Sequence, residues 1–420
     1  MTQTTLPVSR LRALAAFLIG CAFFIYAFVH RVAPSVMTED LMRDFAVGGS
    51  ALGVLSAMYF YAYVALQIPV GVLIDRFGPR RLMSGALLIC ACASLSMAGS
   101  ESLLTASISR LLIGGSVAFA FVGTLTLLTF WFDSHRFATY AGILQSAGML
   151  GAMLGQAPLR VVVETFSWRG AITLLAIVGF ALAALAYAVI PRRSVDNRNL
   201  NATKVTDVGV GNILLQRRNW LCALTGFGMA APMLGFAALW AVPWLTTIRG
   251  FNQTQSAGIA SMVFMGWLVG APVCGWISDC IGKRLPVVLG GALLSLTSFV
   301  TILLFDSASA TVLTALFFIN GLGGCTMVVC FSVMREYNAQ HNTAASLGML
   351  NTLVVGSGAV MQPLIGWLLD SRWNGTLTDG VRLYSAENYQ SAFYTLILAN
   401  GLAVVCCLLL RETYCRNLED

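Results

Sequence analysis

The 420-residue chain alternates long apolar runs with polar segments that are mostly short. A helix needs about 20 apolar residues to cross a hydrocarbon core ~30 Å thick, and the runs have about that length or more. Two polar segments are longer than the others, 191–219 and 370–390. The runs predict twelve transmembrane helices, at 13–36, 51–74, 82–99, 103–131, 138–160, 170–190, 220–247, 255–278, 286–305, 308–334, 343–369 and 391–410.

The composition supports a membrane protein. Hydrophobic residues make up 58% of the chain and charged residues 10%, whereas about a quarter of a soluble domain is charged. The first run continues from Leu11 to Val29 and is interpreted as a retained helix rather than a signal peptide. The eleven cysteines form no Cys-x-x-Cys pair and no Cys/His cluster, so we expect them to pack between helices without a metal or another cofactor.

The basic residues predict the orientation of the chain. A cytoplasmic N-terminus places seventeen of the 25 Lys and Arg residues at the cytoplasmic ends of the helices, as the positive-inside rule requires. We therefore expect a multi-pass protein of a bacterial inner membrane, with both termini and the segment 191–219 in the cytoplasm. The net charge of +7 is then explained by the basic residues on the cytoplasmic side, so a nucleic-acid partner is not expected. We expect a monomer surrounded by lipid.

A charged turn occurs twice between apolar runs. The pattern Gly-x-x-x-Asp-x-x-Gly-x-Arg lies in Gly71–Arg81 and again in Gly275–Arg284, 204 positions later. Gln156 and Gln362, in the fifth and eleventh runs, are 206 positions apart. This repeat predicts an all-α membrane protein of two pseudo-symmetric six-helix halves, 1–190 and 220–420, joined by a cytoplasmic linker at 191–219 and enclosing a cavity.

These features resemble the major facilitator superfamily. The sequence Gly-Val-Leu-Ile-Asp-Arg-Phe-Gly-Pro-Arg-Arg at 71–81 resembles the superfamily's signature between spans two and three, and Arg110–Gly114 resembles its Arg-x-x-x-Gly signature in span four. The resemblance covers nearly the whole chain. It implies a secondary transporter whose halves rock about a central site and expose it to one side of the membrane at a time.

The repeated turns are candidates for conformational control. A carboxylate at the end of a span can accept hydrogen bonds from a helix N-terminus and from arginine, while glycine allows close helix approach at Gly71 and a left-handed turn at Gly78. Such a contact would hold the halves together at the cytoplasmic side; alternatively, the arginines only anchor the topology. The residues are Gly71, Asp75, Arg76, Gly78, Arg80, Arg81, Gly275, Asp279, Gly282 and Arg284.

Charged residues inside the membrane are costly and point to function. Arg31 and Arg110 lie within predicted spans, and no Asp or Glu lies near the middle of one, so we expect a cationic cavity and an anionic substrate. Arg31 would bind the anionic group through its planar fork, or it would extend to the lipid headgroups. Arg110 has two candidate roles. It would donate structural hydrogen bonds to carbonyl groups of neighbouring helices, or it would take part in proton coupling.

Neutral polar residues are candidates for the rest of the site. His30 is the candidate for proton coupling, and packing is its alternative role. The positions of Tyr26 and Arg31 resemble the organophosphate and organic-anion branches of the superfamily, although the seventh span lacks the second basic residue of the phosphate antiporters. Tyr59, Tyr63 and Gln67 share one helix face, which would line the cavity with hydroxyls and aromatic surface, or form part of an aromatic belt at the membrane interface. Further candidates, whose polar groups need partners in the membrane, are Gln145, Gln156, Asn351 and Gln362. Trp240 would contact substrate or anchor the outer interface.

The sequence thus predicts a transporter that moves a small organic anion or zwitterion, with protons or another ion as a potential coupling partner. Within transport, the alternative is export of a hydrophobic, drug-like compound. From another class, the alternative is a receptor that keeps the transporter fold, for which the tails Met1–Arg10 and Arg411–Asp420 offer no signalling domain. The chain has no nucleotide-binding loop and no catalytic triad or His-Glu-x-x-His set, so neither an ATP-driven pump nor an enzyme is expected.

Overall fold

A computed structural model describes residues 10–131, 137–191, 214–305, 307–339 and 343–416 of the chain. The first half begins with α1, which continues as a 3₁₀ turn at Ala33–Val36, and with a short helix, α2, that the hydrophobic pattern did not predict. The helices of this half are α1 (Arg10–Val32), α2 (Thr38–Asp44), α3 (Gly49–Phe77), α4 (Pro79–Ala98), α5 (Leu103–Trp131), α6 (Phe137–Leu154) and α7 (Ala157–Val189).

The second half repeats this order. Its first span consists of α8 (Arg217–Ala231), a π-helix (Pro232–Trp240) and α9 (Ala241–Arg249), so the predicted single helix changes its hydrogen-bonding pattern midway. The predicted polar loop 370–390 contains an antiparallel hairpin of β1 (Leu377–Thr378) and β2 (Val381–Arg382). The other helices are α10 (Gln253–Ile281), α11 (Leu285–Leu304), α12 (Ala310–Gly324), α13 (Val328–Tyr337), α14 (Thr343–Ser371) and α15 (Ala386–Leu408), with a 3₁₀ turn at Cys325–Met327 between α12 and α13.

The described residues contain eleven helical stretches that are long and apolar enough to cross a membrane. One of them, Thr139–Val189, has 51 residues and is broken at Ser167, whose φ of 64° and ψ of 169° are not helical. Because that stretch holds two spans, the described residues form twelve spans, as predicted. Within the first half α4 packs on α5 and α7, and within the second α10 and α11 pack on α12.

Backbone conformation explains where the repeated turns fall. Gly78 ends α3 with φ of +80° and donates its N–H to the Ile74 carbonyl, and Pro79 starts α4. Gly282 ends α10 in the same way, with φ of +67°. L-residues with a side chain rarely adopt positive φ, so glycine at both positions fits the predicted turn. By contrast, a Cβ on Gly71 or Gly275 would meet no atom within 4 Å, so the close helix approach expected at Gly71 is not present in this conformation.

Candidate functional site

Arg31, in the last turn of α1, is a buried cation in an aromatic cage. The residue is 5% exposed, and its guanidinium carbon lies 4.0 Å from the ring centroid of Phe28, 5.1 Å from that of Tyr63 and 5.6 Å from that of Tyr59. Phe60 is 6.0 Å away. Aromatic faces attract a cation but carry no net charge, and no carboxylate among the described residues pairs with Arg31. Within the described ranges, therefore, nothing neutralises the positive charge of the guanidinium.

Arg110, on α5, fixes the backbone that carries Arg31. Its Nη1 donates to the His30 carbonyl at 2.6 Å and its Nη2 to the Arg31 carbonyl at 3.5 Å. Carbonyl groups in the last turn of a helix lack intrahelical donors, so these bonds satisfy both groups. Tyr59 adds a third bond, from its hydroxyl to the Ala27 carbonyl at 3.0 Å. This geometry favours the structural reading of Arg110.

His30 and Tyr26 face away from the cage. Their rings meet edge to face with centroids 4.6 Å apart. The Tyr26 hydroxyl points toward α7, because a Cβ on Gly179 would lie 2.5 Å from it. His30 is fully buried, and neither of its ring nitrogens has a hydrogen-bond partner within the part of the chain that the structure describes. The predicted grouping of Tyr26 and His30 with Arg31 is therefore not present, and a coupling role for His30 stays a prediction.

Three of the predicted polar residues, Gln67, Gln145 and Asn351, provide groups without a partner among the described residues, whereas the Tyr59 hydroxyl donates to the Ala27 carbonyl. Tyr59 and Tyr63 stack with centroids 6.2 Å apart and share a helix face, as their spacing predicted. Gln67, one turn further along α3, has a buried Nε2 without a partner in the described ranges. Gln145 on α6 and Asn351 on α14 are half-buried, and their side chains make no hydrogen bond to a described residue. These groups remain available to a ligand.

A cavity of about 380 Å³ lies between α3, α8 and α14. Its α3 wall is formed by Tyr61, Val64 and Ala65, which flank the cage residue Tyr63 in the sequence. The lining is almost wholly apolar apart from Tyr61 and Thr352. The lining residues are Tyr61, Val64, Ala65, Phe227, Thr352, Leu353, Gly356, Ala359 and Val360.

The end of the molecule that lies away from the two chain termini is closed by Asp370. We call it the sealed end. Its carboxylate accepts hydrogen bonds from the backbone N–H groups of Gly49 (3.0 Å) and Ser50 (2.9 Å), which start α3 of the other half. It also accepts from the Tyr384 hydroxyl at 2.5 Å and from Arg382 Nη1 at 3.1 Å. A carboxylate from the second half thus caps a helix of the first half, where N–H groups and the helix dipole favour negative charge.

Gln156 also links the halves at the sealed end. Its Oε1 accepts from the Ser35 hydroxyl at 3.1 Å, and its Nε2 donates at 3.1 Å to the carbonyl of Ala237 in the π-helix of the second half. Ser35 lies one turn beyond Arg31, so the closed region begins close to the cage. Gln156 is fully buried, and these bonds give it a structural role between helices.

Gln362 and Trp240 hold the π-helix against α14. Gln362 Nε2 donates to the Leu234 carbonyl at 2.7 Å, and Trp240 Nε1 donates to the backbone carbonyl of Gln362 at 3.1 Å. Both residues are almost fully buried. They therefore stabilise the sealed end and do not line the cage around Arg31.

Two further carboxylates accept hydrogen bonds from the other half at this end. Glu39 accepts from Gln253 Nε2 at 2.7 Å, and Glu164 accepts from the Thr254 hydroxyl at 3.1 Å. Burial, and then the neighbouring Asp40 carboxylate, raise the pKa of Glu39, so it takes up a proton more readily than a free glutamate. Every hydrogen bond between described residues of the two halves lies at the sealed end.

Glycines let α3 and α14 touch along the sealed end. A Cβ on Gly53 would lie 2.5 Å from the Gln362 carbonyl oxygen and 2.9 Å from Pro363 Cα. A Cβ on Gly366 would overlap the backbone of Gly49. Real side-chain carbons do not approach backbone this closely, so the contact requires glycine at both positions. This end is closed by backbone packing as well as by hydrogen bonds.

The second copy of the repeated turn forms a charge network within its own half. Arg284 Nη2 pairs with Glu336 at 2.9 Å and its Nη1 with Asp279 at 2.5 Å. The Glu412 carboxylate accepts from the N–H groups of Arg284 (2.8 Å) and Leu285 (2.9 Å) at the start of α11. Burial lowers the pKa of Arg284, but the bonds to Glu336 and Asp279 raise it by more, so the net shift is upward. This copy therefore does not join the two halves in this conformation.

The first copy differs. Arg80 stacks on the ring of Tyr187 at 4.3 Å, and Arg76 lies 5.3 Å from the ring of Phe77. Both contacts stay within the first half. The side chain of Asp75 lies outside the described residues, so the predicted contact from Asp75 stays a prediction.

Several site residues were missed in the sequence. Phe28 lies three residues before Arg31, and helical spacing would have placed it beside the guanidinium. Phe60, adjacent to Tyr59, gave no such signal. Asp370 and Tyr384 were visible only as polar residues near a loop, since nothing in the sequence pairs them with the N-terminus of α3.

Twelve spans in two halves, closed to each other at one end and enclosing buried polar groups, define a membrane transporter rather than an enzyme. Residues 18–266 and 222–416 match the family model described as Major Facilitator Superfamily. The chain therefore belongs to this superfamily of transporters, as its repeated turns indicated.

Relatives with assigned names share about a quarter of their residues with the chain. A probable sulfoacetate transporter of Cupriavidus necator is 26% identical, covering 83% of this chain and 86% of that protein. A putative tartrate transporter of Agrobacterium vitis is 23% identical (90% and 88% covered). A hexuronate transporter of Bacillus subtilis is 21% identical (90% and 89% covered).

Solved structures show the same fold. A bacterial homologue of the human lysosomal transporter Spinster, in an inward-facing and occupied conformation, has a TM-score of 0.77 at 15% identity and covers 96% of this chain and 97% of its own. The same transporter in an inward-facing and unoccupied conformation has a TM-score of 0.78 at 14% identity, with 98% of both chains covered.

Proposed function

We propose that the protein transports a small organic anion and binds its anionic group at Arg31. The carrying observation is the uncompensated guanidinium, 5% exposed and surrounded by aromatic rings. Such a buried cation is unfavourable without a counter-ion, and a carboxylate or sulfonate matches its planar set of donors. The names of the relatives support the same chemistry, since sulfoacetate, tartrate and hexuronates are all organic anions.

The neutral part of the substrate would contact polar groups supplied by both halves. Both halves supply such groups: Tyr63 and Gln67 on α3 and Gln145 on α6 belong to the first half, and Asn351 on α14 to the second. A ligand that reaches them would contact both halves at once. Hydroxyl and amide groups of this kind suit a hydroxylated acid. Binding would thus favour closure of the halves around the substrate.

The structure fits one state of an alternating-access cycle. The halves are held together at the sealed end, and no hydrogen bond between described residues of the two halves lies at the end that carries both termini. With cytoplasmic termini in a bacterial inner membrane, this state faces inward. The orientation is supported by the seventeen basic residues at that end, and the two halves would move as the units 1–190 and 220–420 about the linker 191–219.

Binding of candidate anions to purified protein tests the proposal. The probes are sulfoacetate, L-tartrate, D-glucuronate and L-galactonate, measured by the rise in melting temperature that a bound ligand produces by mass action. A neutral sugar, D-glucose, is the ligand control. At least one acid should stabilise the wild type, and glucose should not.

Substitutions at Arg31 assign the site. Arg31→Lys keeps the charge but loses the planar fork, so affinity should fall about tenfold or more while some binding remains. Arg31→Gln should remove anion binding while the protein still folds. Arg372→Gln, an exposed arginine at the sealed end, is the matched control and should bind like the wild type. Unchanged affinity in Arg31→Gln would disprove the assignment.

A further inference from the structure

The apolar cavity of about 380 Å³ opens toward the side of the molecule. Two residues on its rim, Tyr61 of α3 and Val360 of α14, are 42% and 51% exposed. Residues seven and eleven positions apart on an α-helix point within about 20° of the same direction, so Val54, Tyr61 and Ala65 share one face of α3. Val54 is exposed too, although it lies at the sealed end, where the interior is closed. This face of α3 therefore points outward.

The aromatic cage lies on the other side of α3. Tyr59 and Tyr63 follow Val54 by five and nine positions, which turns them by about 140° and 180° from the outward face. On α14 the exposed residues Val360 and Trp367 are seven positions apart and form a matching outward face. The cavity is therefore a groove in the membrane-facing surface, separate from the cage, and we call it the lateral groove.

Separation of α3 from α14 creates the lateral groove. At the sealed end the backbones touch, since a Cβ on Gly53 would lie 2.5 Å from the Gln362 carbonyl oxygen. Phe60 still contacts Gly358, where a Cβ would lie 2.9 Å from its ring. A Cβ on Gly356 would meet no described atom within 4 Å, so the two helices have parted by this level.

The depth of the lateral groove determines what fills it. Tyr61 and Val360 lie near the middle of α3 (Gly49–Phe77) and of α14 (Thr343–Ser371), so the groove opens at the level of the hydrocarbon core. Water needs several polar partners, and the lining offers only Tyr61 and Thr352. An apolar cavity of about 150 Å³ in another protein stays dry and binds benzene, and an empty groove would forfeit many dispersion contacts. A hydrocarbon chain from the bilayer meets these requirements.

We propose that one acyl chain of a membrane phospholipid occupies the lateral groove and stabilises the state in which the sealed end is closed. When the halves rock and the sealed end opens, the other ends of α3 and α14 approach each other. The small residues Ala65 and Gly356 on the two walls allow this approach, and the groove then narrows and the chain must leave. A ligand that binds only one state shifts the equilibrium toward that state. This inference goes beyond the proposed function and holds whichever anion is transported.

Photo-cross-linking in nanodiscs tests whether the lateral groove is occupied. The probe is a phosphatidylcholine with a diazirine halfway along one acyl chain, and adducts are located by mass spectrometry of peptides. The wild type should carry adducts on the groove residues Phe227 or Leu353 as well as on Ile177, an exposed residue of α7 that serves as the reference for general lipid contact.

Filling the lateral groove should displace the chain. Gly356→Leu should lower the ratio of groove adducts to Ile177 adducts by at least about tenfold, which corresponds to only about 1.4 kcal/mol of binding free energy. Ala65→Leu narrows the groove from the opposite wall and should act in the same way. The matched control is Gly290→Leu on α11, where a Cβ also meets no described atom within 4 Å but the groove is not involved. Its adduct ratio should equal that of the wild type.

The effect of the chain on conformation is measured in two lipids. Diphytanoyl phosphatidylcholine has methyl-branched chains that are wider than those of palmitoyl-oleoyl phosphatidylcholine and should enter the groove poorly. Spin labels at Glu101→Cys and Ser307→Cys report the distance between the halves at the sealed end by double electron–electron resonance. In the branched lipid the open-to-sealed ratio of the wild type should rise about threefold or more, because the two states of such a protein differ little in free energy. Gly356→Leu should stay sealed in both lipids, since its side chain takes the place of the acyl chain.

The results that would overturn the proposal are distinct. Absence of adducts on Phe227 and Leu353 in the wild type, or an unchanged adduct ratio in both Gly356→Leu and Ala65→Leu, would show that lipid only surrounds the protein at this level. Equal distance distributions of the wild type in the two lipids would show that the chain does not stabilise the sealed state. An equal shift in the wild type and in Gly356→Leu would assign the effect to the bilayer as a whole and would also refute the proposal.

Discussion

Replacing Asp370 by asparagine should open the sealed end. The carboxylate accepts the Gly49 and Ser50 N–H groups across the two halves and is held in place by Tyr384 and Arg382. Asparagine has nearly the same shape but carries no charge, and one of its two acceptor positions becomes a donor. In Asp370→Asn, one N–H group at the start of α3 would therefore face another N–H group.

The size of the effect follows from these bonds. A hydrogen bond to a charged group contributes about 1.5–3 kcal/mol to a folded state, and the variant loses one of two and weakens the other. Water replaces the lost partners, because the Asp370 side chain is 18% exposed. A net loss of about 2 kcal/mol for the sealed state would change the ratio of sealed to open molecules by about 30-fold.

Distance measurements between spin labels can detect this shift. Glu101→Cys, between α4 and α5, and Ser307→Cys, between α11 and α12, place labels on exposed turns of the two halves at the sealed end. The exposed cysteines Cys92 and Cys280 are replaced by serine in this background. In double electron–electron resonance the wild type should give mainly the short distance, and the Asp370 variant should add a longer one.

The control uses an aspartate of the same region. Asp379 lies at the tip of the β1–β2 hairpin, is exposed, and receives a hydrogen bond from Arg43 only through its backbone carbonyl. Asp379→Asn should therefore leave the distance distribution unchanged. An unchanged distribution in Asp370→Asn would show that the carboxylate does not hold the halves together at the sealed end.

Other substitutions address the remaining parts of the structure. Gly366→Ala should prevent closure of the sealed end and slow transport at least about tenfold at equal expression. Gly348→Ala, on the same helix, is the control and should transport at the wild-type rate, because a Cβ there meets nothing within 4 Å. Uptake rates of the two variants test this difference. Glu336→Gln removes the buried partner of Arg284 and should lower the melting temperature, with a cost of about 3 kcal/mol for breaking a buried pair; an unchanged melting temperature would contradict that role. A cysteine at Leu200 in the linker should react with an impermeant reagent in inverted membrane vesicles and not in intact cells, and the reverse result would contradict the proposed orientation.

Features that depend on local sequence were predictable. Hydrophobic length gave the twelve spans, because each helix must satisfy its backbone groups inside the membrane by itself. Helical spacing placed Tyr59 and Tyr63 on one face, and Gly78 and Gly282 predicted turns with positive φ. The cost of burying a charge singled out Arg31.

Features that depend on contacts between distant segments were not. Gln156 and Gln362 were candidates for substrate binding, yet they bond to carbonyl groups of the π-helix, whose existence the hydrophobic pattern does not reveal. Asp370 and Gly49 are more than 300 positions apart in the chain, and only the packing of α14 on α3 brings them together. A pattern in one sequence cannot show such a pair, because each residue alone is compatible with a loop or a helix end.

The contacts of the sealed end begin close to Arg31. Ser35, bonded to Gln156, is only one helical turn beyond Arg31, and Phe60 of the cage packs against Gly358 of the other half. An anion bound at Arg31, as proposed, would therefore lie against the contacts that separate when this end opens. Those contacts are the ones that Asp370 and the glycines of α3 and α14 hold shut. A variant with the sealed end weakened should still depend on Arg31 for transport, since opening that end does not replace the guanidinium with which the anion pairs.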